Sequence, residues 1–327
     1  MATPAKTNAA IFILTQNTPV RQAYLKTALY FLFRNFNEEH KYPVIIFHEG
    51  DYDAASQESV IKSVRSSSRS LVSFRVLDAG DFEVPSHVDI EKAKACVGLK
   101  CTPYWRNMAY RNMCRWWIVH MPKYGKPYDY IMRIDDDLFI EEKIHEDIIA
   151  TAASKGQVYV SNMIHTDCPV CCYGFRDLLV ATYPARQAFI DDLFHKQEVP
   201  SGAYQLIGLR SLMSVLTPDI EIKSNLNLWS PVMNYNNFHI TKPEFWLRQN
   251  VQELVKAIDD SGLIYYTRLG DSPIQSMVTM LLASPSELGR VRFRYSKRLQ
   301  REAHHGDDGV LYSYMPETYA KTSDITE

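Results

Sequence analysis

No apolar stretch in this chain of 327 residues approaches the roughly 20 residues a membrane-spanning helix needs, and the first run, Ala9–Leu14, falls far short. Neither sign of charge is in excess. With 36 Lys and Arg against 38 Asp and Glu the formal charge is −2, which leaves no field to draw nucleic acid. Glycine is scarce, at 13 residues, and none builds a phosphate-cradling loop. The loop ending in Gly-Lys-Ser/Thr, the Gly-x-Gly-x-x-Gly turn of dinucleotide folds and the Gly-x-Ser-x-Gly elbow of α/β-hydrolases are all absent. Internal repeats, low-complexity blocks and linkers are lacking as well. One domain over residues 8–315 is therefore expected, with a polar tail at 316–327. Of the six cysteines, Cys168, Cys171 and Cys172 follow His165 like half of a zinc knuckle, but no second pair follows at knuckle spacing. A loop disulfide or buried thiols are the plainer readings.

What is present alternates between strand and helix patterns. Ala9–Thr15, Tyr42–His48 and Leu71–Leu77 read as strands, separated by helical spacing over Val20–Phe36 and a polar helix over Ser56–Ser68. Trp105–Met121, Ile144–Ala153, Tyr183–Lys196, Phe245–Ile258 and Ser272–Leu282 read as further helices. Gln157–Asn162 and Ile264–Tyr266 read as strands, and residues 79–103 and Pro200–Met233 as irregular. Asp271 or Ser272 is the expected N-cap of the last helix. This order predicts an α/β fold with a mostly parallel central sheet flanked by helices, its function at the carboxyl ends of the strands.

The most informative segment is Tyr128–Ile140. Asp135-Asp136-Asp137 stands between two apolar runs, where a buried strand emerges. Three like charges are costly to bury, so they face solvent or share a cation. If the backbone there is extended, Asp135 and Asp137 lie on one side and suit Mg²⁺ or Mn²⁺, which in turn grips a diphosphate. A solvated turn is the alternative. Arg106, Arg111 and Arg115, at near-helical intervals on the preceding helix, and Arg133, on the strand, are candidates to meet the phosphates or to pair with the carboxylates.

Tyr110-Arg111-Asn112-Met113-Cys114-Arg115-Trp116, then Tyr128-Asp129-Tyr130 and the acidic triplet, resembles the fungal α-1,2-mannosyltransferase family that extends glycoprotein and glycolipid mannans. That family has Tyr-Arg-x-Met-Cys-Arg-aromatic, Tyr-Asp-Tyr and a Glu-Pro-Asp triplet in the same order. Asn237-Phe238-His239-Ile240 falls where it has Asn-Phe-Glu-Ile, and Gly270-Asp271-Ser272-Pro273-Ile274-Gln275-Ser276 where it has Gly-Asp-Ala-Pro-Val-His-Ser.

The resemblance implies a GT-A fold, a nucleotide-sugar donor (GDP-mannose first, or a UDP-sugar), Mn²⁺ or Mg²⁺, and retention of the anomeric configuration. The acceptor it implies is a glycan, glycoprotein or glycolipid hydroxyl. Asp137 and Asp135 become metal ligands, Asp135 also a donor contact beside Tyr110, Arg111, Arg115 and Arg133. Gln275 stands where the family has a metal-ligating histidine, and His304 or His305 is an alternative nitrogen ligand. His239 replaces the family glutamate near the anomeric carbon, which favours same-face transfer; Glu244 and Asp271 are the other candidate catalytic carboxylates. The site of action is expected to be the cytoplasm if Met1 is the native start, or the Golgi lumen if an anchor has been removed. A sugar nucleotidyltransferase and a metal-dependent carbohydrate-binding protein remain the rival classes.

Overall fold

The computed structural model describes residues 7–199, 204–217 and 226–297, and a ribbon pairing His304–His305 with Leu311–Tyr312. The expected tail at 316–327, and the side chains of His304 and His305, lie outside what is described. Among the described residues no helix is long and apolar enough to cross a membrane.

Besides that ribbon, ten strands organise the described chain: β1 Ala9–Leu14, β2 Val44–His48, β3 Val72–Val76, β4 Tyr130–Ile134, β5 Leu138–Ile140, β6 Tyr159–Thr166, β7 Phe194–Val199, β8 Leu226–Thr241, β9 Leu288–Arg290 and β10 Tyr295–Lys297. The main sheet runs β3-β2-β1-β4-β8-β6-β9, with β7 added along β8. Pairing is parallel from β3 to β4 and between β6 and β9, whereas β8 is antiparallel to β4, β6 and β7. This is the mostly parallel sheet the alternation predicts.

Period-two alternation explains how the sheet is covered on both faces. Ala10 and Phe12 of β1 and Ile131 of β4 join one core, which includes Trp116, Trp246 and Met277. Ile11, Ile13, Met132 and Ile134 join the other, with Leu25, Leu29 and Phe36. Three helices carry the residues that matter below. Helix α1, Pro19–Leu32, starts on Thr18, whose side chain accepts from the Arg21 backbone N–H, with proline at its first turn. Helix α2, Met108–Arg115, starts on Asn107 and continues through a π turn, Trp116–His120, into Met121–Gly125. Helix α3, Asp271–Leu282, has Gly270 as its N-cap, so Asp271 is the first helical residue instead of the cap.

The structure departs from the expected elements where local pattern was weakest. Ile264–Tyr266 belongs to a single helical turn, Leu263–Tyr266, entered from Gly262 at φ +68. The expected helix Tyr183–Lys196 shortens to Gln187–Asp192 and gives way to β7. The excursion at 79–103 contains a helix, Ile90–Gly98, capped by Asp89. Within Pro200–Met233 lie the helix Tyr204–Leu216 and the start of β8. The six cysteines are thiols, five of them buried.

Candidate active site

The loops that leave β1, β2 and β4 at their carboxyl ends open together, with the start of α2, onto a cleft of about 480 Å³. Thr15 and Gln16 follow β1, Arg21 comes from α1, Glu49 follows β2, and Arg106, Tyr110, Met113 and Trp117 come from α2 and its approach. The acidic triplet forms the floor with Lys297.

Its backbone is not extended. The Leu138 N–H donates to the Asp135 carbonyl at 3.0 Å, which folds Asp135–Leu138 into a tight turn, and the Asp135 N–H is tied to the Asn237 carbonyl of β8. All three carboxylates line the cleft, and each has a cation. Arg133, on the face of β4 opposite Met132, is 2% exposed and donates to Asp135 Oδ1 at 3.0–3.1 Å and to Asp271 Oδ2. Its guanidinium lies 4.1 Å over the Trp117 ring. Arg21 donates to Asp136 Oδ1 at 2.8 Å and lies 3.4 Å from Asp137 Oδ2. The other Asp136 oxygen accepts from the Thr15 hydroxyl at 2.7 Å. Lys297 is 2.9 Å from Asp135 Oδ2 and 3.5 Å from Asp137 Oδ1.

These pairings set the proton affinities. Burial favours the neutral acid at Asp135, yet Lys297 and Arg133 outweigh it and hold the carboxyl well below the usual range. At Asp136 burial wins and, with Asp137 adjacent, pushes the carboxyl up to about 7 against the pull of Arg21. Burial disfavours the charged forms of Arg133 and Lys297, but Asp271 and Asp135 hold the proton on the first, and Asp135 and Asp137 on the second.

Several residues expected at the site are elsewhere. Arg111 is buried and donates to the carbonyls of Trp105, Ile264 and Tyr265, with burial lowering it to about 10; it ties α2 to a neighbouring turn. Arg115 makes two bonds to Asp259, at 2.8 and 2.9 Å. Tyr110 does line the cleft, half-buried. Asp271 has its oxygens taken by Arg133, Asn236 and the Cys114 thiol, so it holds Arg133 in place, and it does not line the cleft.

His239 is opposite Arg133 in the β4–β8 register but is fully buried, stacked on Tyr159 at 4.9 Å, one layer below Trp117. Apart from a weak contact with the Asn236 backbone its ring nitrogens have no partner, and burial, with Arg133 nearby, pulls it down to about 3. It is a neutral core ring. Glu244 lies past Thr241, which pairs with Ile131 near the start of β4, so it sits at the far end of the sheet from the acidic turn. Its side chain is 75% exposed and paired to Lys242.

The expected metal ligands that are described already have partners. Gln275 is fully buried with both ends of its amide engaged: Nε2 donates to the Trp117 carbonyl, and Oε1 accepts from Asn236 at 3.0 Å. Asp135 and Asp137 are bridged by Lys297. Among the described residues no group of three His, Cys, Asp or Glu side chains is placed to hold a metal.

Arg106, one of the three arginines expected near the acidic strand end, does line the cleft, whereas sequence reasoning missed Arg21, Trp117 and Lys297. Arg106 precedes the Asn107 cap and is held at φ +61, which a non-glycine residue adopts rarely.

The profile of a family described as glycolipid 2-alpha-mannosyltransferase matches residues 2–175 and 201–295. The chain belongs to this family. Among its relatives, the O-glycoside alpha-1,2-mannosyltransferase omh1 of Schizosaccharomyces pombe is 22% identical over 286 residues, which is 85% of this chain and 65% of that protein. The chain thus spans a little under two thirds of that relative's length. The solved mannosyltransferase Ktr4p from S. cerevisiae superposes with a TM-score of 0.69 at 17% identity, over 90% of this chain and 72% of Ktr4p. Core-mannan synthase A from Aspergillus fumigatus, solved in a Mn/GDP form, gives 0.70 at 15% identity, over 100% and 87%. The family's GT-A fold is therefore the fold of this chain.

Proposed function

We propose that the cleft binds a nucleotide diphosphate sugar and transfers its sugar, mannose first, to a glycan hydroxyl with retention. The observation that carries this is the acidic turn lined with Arg21 and Lys297 at the carboxyl ends of β1 and β4, in a family of mannosyltransferases. Two cations facing an open cleft suit a diphosphate leaving group, whose charge grows as the bond to the sugar breaks. Related structures support GDP as the nucleotide: Ktr4p has been solved in complex with GDP.

Among the described residues, Glu49 is the only carboxylate besides the acidic triplet that lines the cleft, and His239 is fully buried, edge to face with Trp117. Same-face transfer needs no enzyme nucleophile. The bond from the anomeric carbon to the β-phosphate oxygen breaks, the acceptor oxygen bonds that carbon on the same face, and the acceptor proton passes to the departing phosphate oxygen. Asp135 and Asp137 hold the proton on Lys297, and Asp136 and Asp137 hold Arg21 in place.

Asp137→Asn should lower transfer by about 100-fold or more, the scale of losing one preorganised electrostatic group, while the unfolding transition persists. Undiminished turnover in that variant refutes the assignment of the cleft. Release of pyrophosphate from a nucleoside triphosphate and a sugar phosphate identifies a nucleotidyltransferase instead. Glycan binding indifferent to nucleotide identifies a carbohydrate-binding protein.

A further inference from the structure

The acidic turn faces a cation that belongs to the chain itself. Strand pairing fixes it: β10 runs antiparallel to β5, with Tyr295 opposite Ile140, Ser296 opposite Phe139 and Lys297 opposite Leu138, the residue that closes the turn. The Lys297 ammonium therefore stands against the two outer carboxylates, 2.9 Å from Asp135 Oδ2 and 3.5 Å from Asp137 Oδ1, and also lines the open cleft. These are the oxygens that a divalent ion would need. Gln275, where the family carries histidine, is turned into the core and hydrogen-bonded at both ends of its amide. A metal ion entering here must displace the ammonium, meet Arg21 beside Asp137, and find no third side-chain ligand among the described residues.

We propose that Lys297 takes the place of the divalent cation: its ammonium, held by Asp135 and Asp137, neutralises the departing diphosphate, so that donor binding and transfer proceed without metal. This rests on the nucleotide-sugar reading of the cleft. An ammonium has three N–H donors, of which Asp135 engages one by hydrogen bonding, so donors remain for a phosphate oxygen. Lys297 carries one positive charge where the ion carries two, and Arg21, on the opposite side of the turn, adds a second. The carboxylates then position cations instead of ligating a metal.

Calorimetric titration of the full chain with GDP and UDP, in excess EDTA and separately in millimolar Mn²⁺, tests this. One of the nucleotides should bind in EDTA with an affinity within about threefold of that in Mn²⁺. Lys297→Met should weaken that binding by about 30-fold, the scale of a charge-assisted hydrogen bond, and Lys297→Arg should restore most of it. Mn²⁺ alone should give no binding isotherm with the wild-type protein. Nucleotide binding that requires Mn²⁺ overturns the role of Lys297 and leaves the donor reading standing. Absence of nucleotide binding under both conditions removes the donor reading and this inference with it. The wild-type titrations decide between these outcomes even if Lys297→Met fails to fold.

Discussion

Replacing Arg133 with methionine should be among the most damaging single changes available in this protein. Its guanidinium is 2% exposed and bonded to Asp135 and Asp271 while covering Trp117. Asp135 keeps Lys297 in the variant, so most of the cost falls on Asp271, which is left with a side-chain amide and a thiol as its donors. Removing one partner of a buried ion pair typically costs about 3–5 kcal/mol, because the other charge stays behind without compensation. With Lys297 in reserve, the lower end, about 3 kcal/mol, is expected, a large share of the roughly 5–15 kcal/mol that holds a domain folded. Methionine retains some packing against Trp117, which keeps the change mostly electrostatic. Urea unfolding at neutral pH, followed by tryptophan fluorescence and circular dichroism, measures the loss. Arg133→Met combined with Asp271→Asn should recover about 2 kcal/mol of it, because the stranded charge is then gone. A loss below about 1 kcal/mol, or strictly additive single and double variants, refutes the reasoning.

The Asp136 carboxyl is pushed up to about 7 by burial and by Asp137. A folded pKa above the unfolded value of about 4 gives stability that is full below pH 4 and is lost as pH rises through 7. Asp136→Asn should therefore flatten the stability profile between pH 5 and 8, removing a decline on the order of 2 kcal/mol in denaturation series. His239→Ala empties a fully buried site between Tyr159 and Trp117 and should cost about 2–3 kcal/mol in thermal unfolding, with the product anomer unchanged by NMR. Glu244→Ala, at an exposed position, should shift stability by less than about 0.5 kcal/mol and leave initial rates of sugar transfer unaltered.

The parts of this protein that were legible in its sequence are those fixed by local pattern. β1 and β4 alternate apolar residues between two cores, and the triplet marks the end of β4 because nothing apolar replaces it. β8 was not legible: it carries Pro231 and four asparagines, a poor strand composition. Helix α3 compensates, with Ser276 accepting from the Asn234 N–H and Asp271 and Gln275 accepting from Asn236. Lys297 was invisible for a different reason. It reaches Asp135 across 162 residues through strand pairing, which no local window contains. His239 and Gln275 occupy positions that chemistry made attractive, but the sheet turns one under Trp117 and the core claims both ends of the other.

The most direct measurement is a proton NMR time course of the protein with GDP-mannose and a methyl mannoside acceptor. The account predicts that an α-linked disaccharide signal grows in step with free GDP. A β-linked product, or consumption of the donor with no disaccharide formed, would contradict it.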